Sequence, residues 1–178
     1  DDIRVNDDDG YADQKNAAVA VAPSGDIVVV WQDRRADNYD IYVQMFRYAG
    51  GSLIRCDDNG NCAAACVADC NRRVDTGAAD RNQSLPDISV DEENNFYVVW
   101  QDQRNNNDDI FAVRSYWDGG NLAWATDARI HDDPSTSKQS SPDVTALQGV
   151  RVKDIEYTEV ADPPQIIVTE VITEPISY

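Results

Sequence analysis

Several residue types on which enzymes and nucleic-acid-binding proteins depend are scarce in this chain. The 178 residues include one histidine, His131, and three lysines, and there is no glycine-rich phosphate loop. No nucleophile, base and orienting group form a recognisable set. Acidic residues outnumber basic ones by 33 to 15, and the net charge of −18 disfavours binding to nucleic acid or anionic lipid. These absences predict a protein that is not an enzyme, with no catalytic residues and no required cofactor.

Long apolar segments are also missing. No apolar run approaches the ~20 residues that a membrane-spanning helix needs. The chain begins with Asp1-Asp2, without a methionine or a leader, and we interpret it as a processed mature form or an excised fragment. We therefore expect a secreted protein, extracellular or at the cell surface, that does not insert into a membrane.

The four cysteines lie close together in one segment. Cys56, Cys62, Cys66 and Cys70 lack the paired two-residue spacings of a zinc ribbon. Their even number and their clustering predict two local disulfides formed in an oxidising compartment. The spacing leaves all three pairings open.

The most informative feature of the chain is an internal repeat. Residues 14–48 align with residues 83–117 without a gap, and 11 of the 35 positions are identical. The identical pairs include Trp31/Trp100, Gln32/Gln101, Asp33/Asp102, Arg35/Arg104, Asp40/Asp109 and Ile41/Ile110. Chance does not give this density in one register, so the fold is expected to be built from repeated units.

A third copy begins after the second. An Arg-Val or Arg-Ile pair at 4–5, 73–74 and 129–130 precedes an alternating strand by the same number of residues each time. The period is 69 residues and then 56, and the 13 extra residues lie where the cysteines are. The predicted organisation is two units at about 14–75 and 83–131, a partial third unit at 139–161, and a cysteine-rich insertion at 56–70.

Each unit is predicted to contain four antiparallel strands. An alternating strand leads through a polar turn to an unbroken apolar run, Ile27–Trp31 or Phe96–Trp100. A polar loop, a third strand and a Gly-Gly turn follow, and the Arg-Val segment closes the unit. Unbroken apolar strands indicate a sheet that is covered on both faces, and no segment shows helical periodicity. The sequence predicts an all-β fold of repeated four-stranded antiparallel meanders.

The motif Tyr-Val-Val-Trp-x-Asp-x-Arg, followed by Asp-Ile-Phe and a Gly turn, resembles the blades of sialidase-like (BNR-type) β-propeller repeat proteins of secreted bacterial origin. The resemblance covers about residues 1–147 and implies β-propeller-like blades. The Asp-box of sialidases is absent, because Trp100 follows Asp91 by nine residues. The catalytic residues of sialidases also match no positions of this chain, so the resemblance implies the blade without the enzyme.

The chain has too few units to close a propeller ring, which takes roughly four to eight blades. We expect residues 1–161 to form a propeller-like repeat domain that is incomplete as a single chain, and residues 162–178 to form a proline-linked β-strand tail. A surplus strand at each end would pair between subunits in a closed oligomer or a filament. The residues predicted to make this assembly contact are Ile3, Arg4, Val5, Ile166, Ile167, Val168, Val171 and Ile172. The other interpretation is a fragment of a longer propeller.

The candidate sites are few. The recurring Asp33…Arg35 and Asp102…Arg104 loops either line a ligand groove or tie the loop internally, and their recurrence favours a structural role. Asp57, Asn59 and Asn61 begin like a calcium loop but lack its final glutamate. The remaining sites are Trp117 and Trp124 as an exposed aromatic surface, and Asn82 as an N-glycosylation acceptor.

We expect a secreted, non-enzymatic structural protein that assembles with copies of itself through β-strand pairing between subunits. A carbohydrate-binding, lectin-like module is the alternative, with glycans as partners and calcium as a possible ligand. A glycosidase fragment ranks last, because acidic residues are too plentiful here for a carboxylate pair to be informative.

Overall fold

A computed structural model describes residues 3–8, 10–62, 66, 70–77, 80–131, 137–146, 150–161 and 164–175, with only the backbone for the last two ranges. The chain forms two compact units, Asp1–Ala146 and Leu147–Tyr178. The described residues contain strands and turns but no helix, which confirms the predicted all-β class. None of them therefore belongs to a helix long and apolar enough to cross a membrane.

The first repeat forms an antiparallel meander that we call sheet A. Its strands are β1 (Gln14–Val21), β2 (Asp26–Ala36), β3 (Asn38–Ala49), β4 (Ser52–Arg55) and β5 (Arg72–Arg73). The first four strands lie in chain order, and β5 pairs with β3. The unbroken apolar run predicted from the sequence is therefore β2, which is bonded on both edges, to β1 and to β3.

The second repeat forms sheet B with the same order. Its strands are β6 (Gln83–Val90), β7 (Phe96–Asp102), β8 (Asp109–Asp118), β9 (Asn121–Trp124) and β10 (Ala128–Arg129). The strands β6, β7 and β8 are neighbours, and both β9 and β10 pair with β8. The two meanders confirm the predicted repeat of antiparallel four-stranded units.

The outer strand differs from the prediction in one respect. The sequence predicts a single closing strand at the Arg-Val segment, whereas in sheet A this position is divided between β4 and β5. β4 pairs with the C-terminal half of β3, and β5 pairs with Tyr42 and Val43 nearer its start. The same division occurs between β9 and β10, because the Gly-Gly turn returns the chain along β3 or β8 before the Arg-Val segment arrives.

The hydrophobic core lies between opposite faces of the two sheets. Sheet A contributes the face that carries Ala20, Val28, Val30, Ile41 and Val43, which we call its donor face. Sheet B contributes the face that carries Ile88, Val90, Phe96, Val98 and Trp100, which we call its acceptor face. Because the sheets are equivalent, each has a donor face and an acceptor face. The core is formed by the donor face of sheet A and the acceptor face of sheet B.

Backbone conformation repeats with the sequence. Left-handed φ angles fall at equivalent positions of the two repeats, namely Asn16/Leu85, Gly25/Asn94, Asp37/Asn106, Gly50/Gly119 and Gly51/Gly120. Ser141 occupies the position of Asn16 and Leu85 in the third copy and has the same conformation, with φ of 56°. In β1 and β6 this residue lies in a β-bulge that shifts the strand register. The third copy therefore begins with the same local structure as the other two.

The second compact unit contains an antiparallel hairpin. Its strands are β11 (Val150–Ala161) and β12 (Pro164–Pro175), which pair along their whole length from Val150↔Pro175 to Ala161↔Pro164. The sequence places a domain boundary at residue 162, between these two strands, but the structure puts both in one unit. The predicted tail is thus the second strand of a hairpin within its own chain. In chain order and in length, β11 and β12 correspond to β2 and β3.

Candidate functional site

The repeated Trp-Gln-Asp-x-Arg sequence builds the same polar cluster in both sheets. In sheet A, the indole Nε1 of Trp31 donates to Asp33 Oδ2 at 2.9 Å, and Arg35 Nη2 donates to the same oxygen at 2.7 Å. The residues 69 positions later repeat both bonds in sheet B, at 2.9 and 2.7 Å. Each arginine backbone N–H also donates to the other carboxylate oxygen. In sheet B the buried aspartate therefore joins the end of β7 to the loop that follows it, and in sheet A it joins residues within the C-terminal part of β2.

Aromatic rings complete this cluster. The guanidinium of Arg35 lies 4.2 Å from the ring centroid of Tyr42, and that of Arg104 lies 3.8 Å from the ring of Phe111. Burial acts to raise the pKa of Asp33, but hydrogen bonds from Arg35 and Trp31 outweigh it and the pKa is lowered. The carboxylate is thus held ionised as a structural acceptor. This geometry favours the structural role over the ligand groove for both loops.

The two clusters differ in their outer partner. Arg35 Nη1 donates to Asp7 at 2.9 Å, and Asp7 also accepts from the backbone of Cys70 and Asn71. Arg104 Nη2 instead donates to Asp127 at 2.5 Å, and its Nη1 donates to Thr76, the equivalent of Asp7. Residues near the N-terminus therefore contact sheet A where the end of the first repeat contacts sheet B.

A second pair of polar clusters is chemically different in the two repeats. Arg73 Nη2 lies 3.0 Å from Asp40 and 2.7 Å from Asp75, so two buried carboxylates share one guanidinium. Burial, together with the charge of Asp75, raises the pKa of Asp40 to about 6. In sheet B the position of Asp75 is taken by His131, whose Nε2 lies 3.3 Å from Asp109. The sole histidine thus belongs to the scaffold.

The cysteine cluster forms the two predicted disulfides, Cys56–Cys62 and Cys66–Cys70. The cysteine-rich insertion at 56–70 has no counterpart in the second repeat, yet it packs against the scaffold. Cys56 and Cys62 are buried members of the core between the sheets. The backbone N–H of Leu122 in β9 donates to Asn59 O at 2.6 Å, and a Cβ at Gly60 would meet Leu122 Cβ at 2.7 Å. The insertion of one repeat therefore packs directly on the other.

The calcium loop predicted at Asp57, Asn59 and Asn61 is satisfied internally. Asp57 Oδ1 accepts from the backbone N–H of Asn59 at 3.1 Å and of Asn61 at 2.8 Å. Within the described part of the chain, no group of three or more His, Cys, Asp or Glu side chains is placed to hold a metal ion. Calcium binding at this loop stays a prediction from sequence alone.

The remaining predicted sites lie apart from one another. Trp124 is buried in the core rather than exposed, because β9 turns it inward, and Trp117 packs against the core and donates to Asn94 O at 3.2 Å. These contacts correct the predicted exposed aromatic surface. Asn82 is exposed, and its Oδ1 accepts from the backbone of Tyr39 at 3.1 Å.

The feature that sequence reasoning missed is the acceptor face of sheet A. Val19 and Val21 are 59% and 58% exposed, whereas their equivalents in sheet B, Ile88 and Val90, are 6% and 5% exposed. The register places Val19 opposite Val29 and Val21 opposite Ile27, so these four residues form one apolar surface. The sequence contains no signal for it, because Val19 and Val21 have the same alternating apolar pattern as Ile88 and Val90. An apolar patch on a sheet face commonly marks an interface.

Part of this face is bordered by the N-terminal segment. Residues 3–8 do not form the strand predicted for Ile3, Arg4 and Val5. Instead, Val5 and Asn6 line a cleft of about 160 Å³ together with Lys15, Val29 and Trp31. The other predicted assembly residues lie in β12, which pairs with β11.

A second depression lies where the three copies begin. Its volume is about 460 Å³, and its walls are the equivalent segments at 16–17, 85–87 and 141–143. The backbone N–H of Leu85 donates to Gln32 Oε1 at 3.1 Å, and Asn16 Nδ2 donates to the same oxygen. The backbone of Val144 donates to Asp87 at 2.9 Å. Equivalent segments of the three copies therefore line the depression.

Comparisons with protein-family models, with characterised proteins and with solved structures give no match.

Proposed function

We propose that this chain is a secreted, non-enzymatic structural protein whose sheets are propeller-type blades, like those of the sialidase-like repeat proteins its motifs resemble. Its role is to assemble with copies of itself into an extracellular oligomer or filament. The observation that carries the proposal is the unequal burial of equivalent faces. The acceptor face of sheet B is core, and the same face of sheet A is apolar and open. In repeat proteins each unit is stabilised by its neighbours, so an open face of this kind favours a further unit.

The polar clusters support a structural role. The carboxylates of Asp33 and Asp102 are buried and bonded to Trp and Arg side chains in the same way in both copies, so neither is free for acid–base chemistry. The two disulfides suit an oxidising compartment and are compatible with secretion. Strand addition by β12 remains a second mode of assembly. Among the described residues β12 has a partner on one edge only.

A carbohydrate-binding module is the second candidate. The depression between the three repeats favours it, because Asn16, Asp87, Ser141 and Asp143 present polar groups around one opening. A glycan array would separate the two functions. Glycan binding by a protein that is monomeric in solution supports the lectin. Absence of glycan binding, together with oligomers that grow with concentration, supports the structural protein.

The experiment that tests the proposed function is sedimentation velocity over a wide concentration range, followed by electron microscopy of the same samples. We expect oligomers or filaments whose size grows with concentration. A chain that stays monomeric at millimolar concentration would contradict self-assembly.

A further inference from the structure

We infer that the acceptor face of sheet A binds the third-repeat sheet of a second copy of this chain. This inference rests on the proposed self-assembly and specifies the surface and its occupant. The third-repeat sheet is the two-stranded sheet formed by β11 and β12. The surface centres on Val19, Val21 and Val29 and includes the cleft beside Trp31.

The first step is the interface inside the chain, which shows what an acceptor face accepts. The acceptor face of sheet B packs against the donor face of sheet A, where β2 and β3 contribute Val28, Val30, Ile41, Val43 and Met45. No described residue covers Val19 and Val21 in the same way. Because the two acceptor faces have the same backbone geometry and similar apolar residues, the matching occupant is another sheet of the same repeat.

The second step is that the contact between consecutive repeats recurs in detail. Asn38 Nδ2 donates to Arg81 O at 2.6 Å, which joins the end of sheet A to the segment leading into sheet B. Its equivalent, Asn107 Nδ2, donates to Ser137 O at 3.3 Å and joins sheet B to the third copy. The arrangement is thus directional, with each donor side taking the next repeat. Among the described residues, no preceding repeat places its donor side against sheet A.

The third step identifies the sheet of the second copy that supplies this partner. The donor sides of sheets A and B are already used within the chain. Sheet B holds the third copy through Gln139 N to Asp108 O at 2.7 Å and Ala146 N to Ser89 Oγ at 2.8 Å. In chain order, β11 and β12 of the third repeat correspond to β2 and β3, the strands that form the donor face of sheet A. A contact from this sheet to sheet A of another copy is head-to-tail and heterologous.

The surface is tested with two variants that each add one carboxylate. Val21→Asp places a charge at the centre of the face, where burial in an interface is costly. Tyr11→Asp is the control, because its equivalent Asp80 is exposed even though the acceptor face of sheet B is covered. We expect the assembly constant measured by sedimentation to fall at least about tenfold in Val21→Asp and to stay unchanged in Tyr11→Asp. Circular dichroism of both variants should match the wild type, since both side chains are exposed.

The occupant is tested with the natural lysines. Lys15 borders the acceptor face, and Lys153 lies in β11. Wild-type chains labelled with ¹⁴N and ¹⁵N are mixed, cross-linked with an amine-reactive reagent and digested. Peptides that join Lys15 to Lys153 with mixed isotopes support a second copy, whereas the same link with only one isotope type would place the occupant within the chain and overturn the inference.

The outcomes separate the inference from the proposed function. A wild-type protein that is monomeric at all concentrations contradicts both. Oligomers that persist unchanged in Val21→Asp contradict the inference alone, because assembly then uses another surface. Loss of assembly in both single-charge variants would also overturn it, since the effect would not depend on the acceptor face.

Discussion

Sheets A and B have nearly the same backbone and different surroundings. The Trp-Asp-Arg bonds agree to within 0.1 Å between the copies, and their left-handed residues fall at the same positions. Yet Trp100 is a member of the central core, and Trp31 lies outside it beside the cleft that Val5 borders. Local sequence therefore determines the geometry of a repeat, while its neighbours determine which faces are buried. Substitutions at equivalent positions should therefore destabilise the protein by different amounts, according to which neighbouring elements contact each position.

The largest expected effect compares the two tryptophans. Trp100→Ala should lower the free energy of unfolding by about 3–5 kcal/mol, because it leaves a cavity in the core and removes a donor from Asp102. Trp31→Ala removes the same local bond but opens toward an existing cleft, so we expect a loss about half as large. Urea denaturation of both variants measures the difference. Equal losses would mean that the surroundings do not matter at this position.

The two disulfides provide a comparison within the insertion. Replacing Cys56 and Cys62 by alanine should cost about 2–4 kcal/mol, because the bridge and its packing between the sheets are lost together. Replacing Cys66 and Cys70 removes a bridge that belongs to the insertion but not to the core cluster, and should cost less. Thermal unfolding of the two double variants gives the order. The reverse order would show that the insertion does not stabilise the contact between sheets.

The clusters around Asp40 and Asp33 should respond to pH in opposite directions. Burial and the charge of Asp75 raise the pKa of Asp40 from 3.8 to about 6, despite the opposing charge of Arg73. Between about pH 4 and 6 the folded state therefore binds a proton that the unfolded state has lost, and the free energy of unfolding falls as the pH rises. Asp33 has a lowered pKa, so its contribution is present above about pH 4 and is lost on further acidification.

Asp40→Asn tests the first of these effects. The free energy of unfolding of the wild type should fall by roughly 1–2 kcal/mol between pH 4 and 6, and that of the variant should not. Chemical denaturation at closely spaced pH values measures it. A variant whose stability declines over this window as steeply as that of the wild type would show that Asp40 is not the group responsible.

The smallest effect concerns the residue with a left-handed φ angle that the three copies share. Leu85 has φ of 52°, a conformation that Asn adopts more readily, and its equivalents are Asn16 and Ser141. Leu85→Asn should raise the free energy of unfolding by about 0.5–1 kcal/mol, because the left-handed conformation is relieved and a residue that is 39% exposed loses little packing. A melting temperature of the variant at or below that of the wild type would show that the left-handed φ angle of Leu85 does not destabilise the fold.

Much of the fold could be predicted because the repeat superimposes strand on strand. The apolar run ending at Trp100 predicts β7, and the Gly-Gly turns predict the return of the chain. The bulge at Leu85 could not be predicted, since Leu gives no local signal for a left-handed conformation. The packing of Cys56 and Cys62 in the core also escaped prediction, because an insertion in one copy has no equivalent with which to compare it.

The candidate site was hidden for a different reason. Val19 and Val21 have the pattern of an ordinary half-buried strand, and only the burial of Ile88 and Val90 shows what normally covers them. Trp117 and Trp124 misled in the opposite direction. A tryptophan with no equivalent tryptophan in the other copy suggests a surface, but Trp124 is buried in the core and Trp117 packs against it. Burial depends on contacts between repeats, which a single repeat does not encode.

The most direct test of the stacking account is hydrogen–deuterium exchange, which compares β1 (Gln14–Val21) with β6 (Gln83–Val90) at low and high protein concentration. We expect β6 to be protected equally at both concentrations, because its face is core within the chain. Protection of β1 should be weak at low concentration and approach that of β6 at high concentration, as a second copy covers Val19 and Val21. Protection of β1 that does not change with concentration, while that of β6 stays high, would contradict the account.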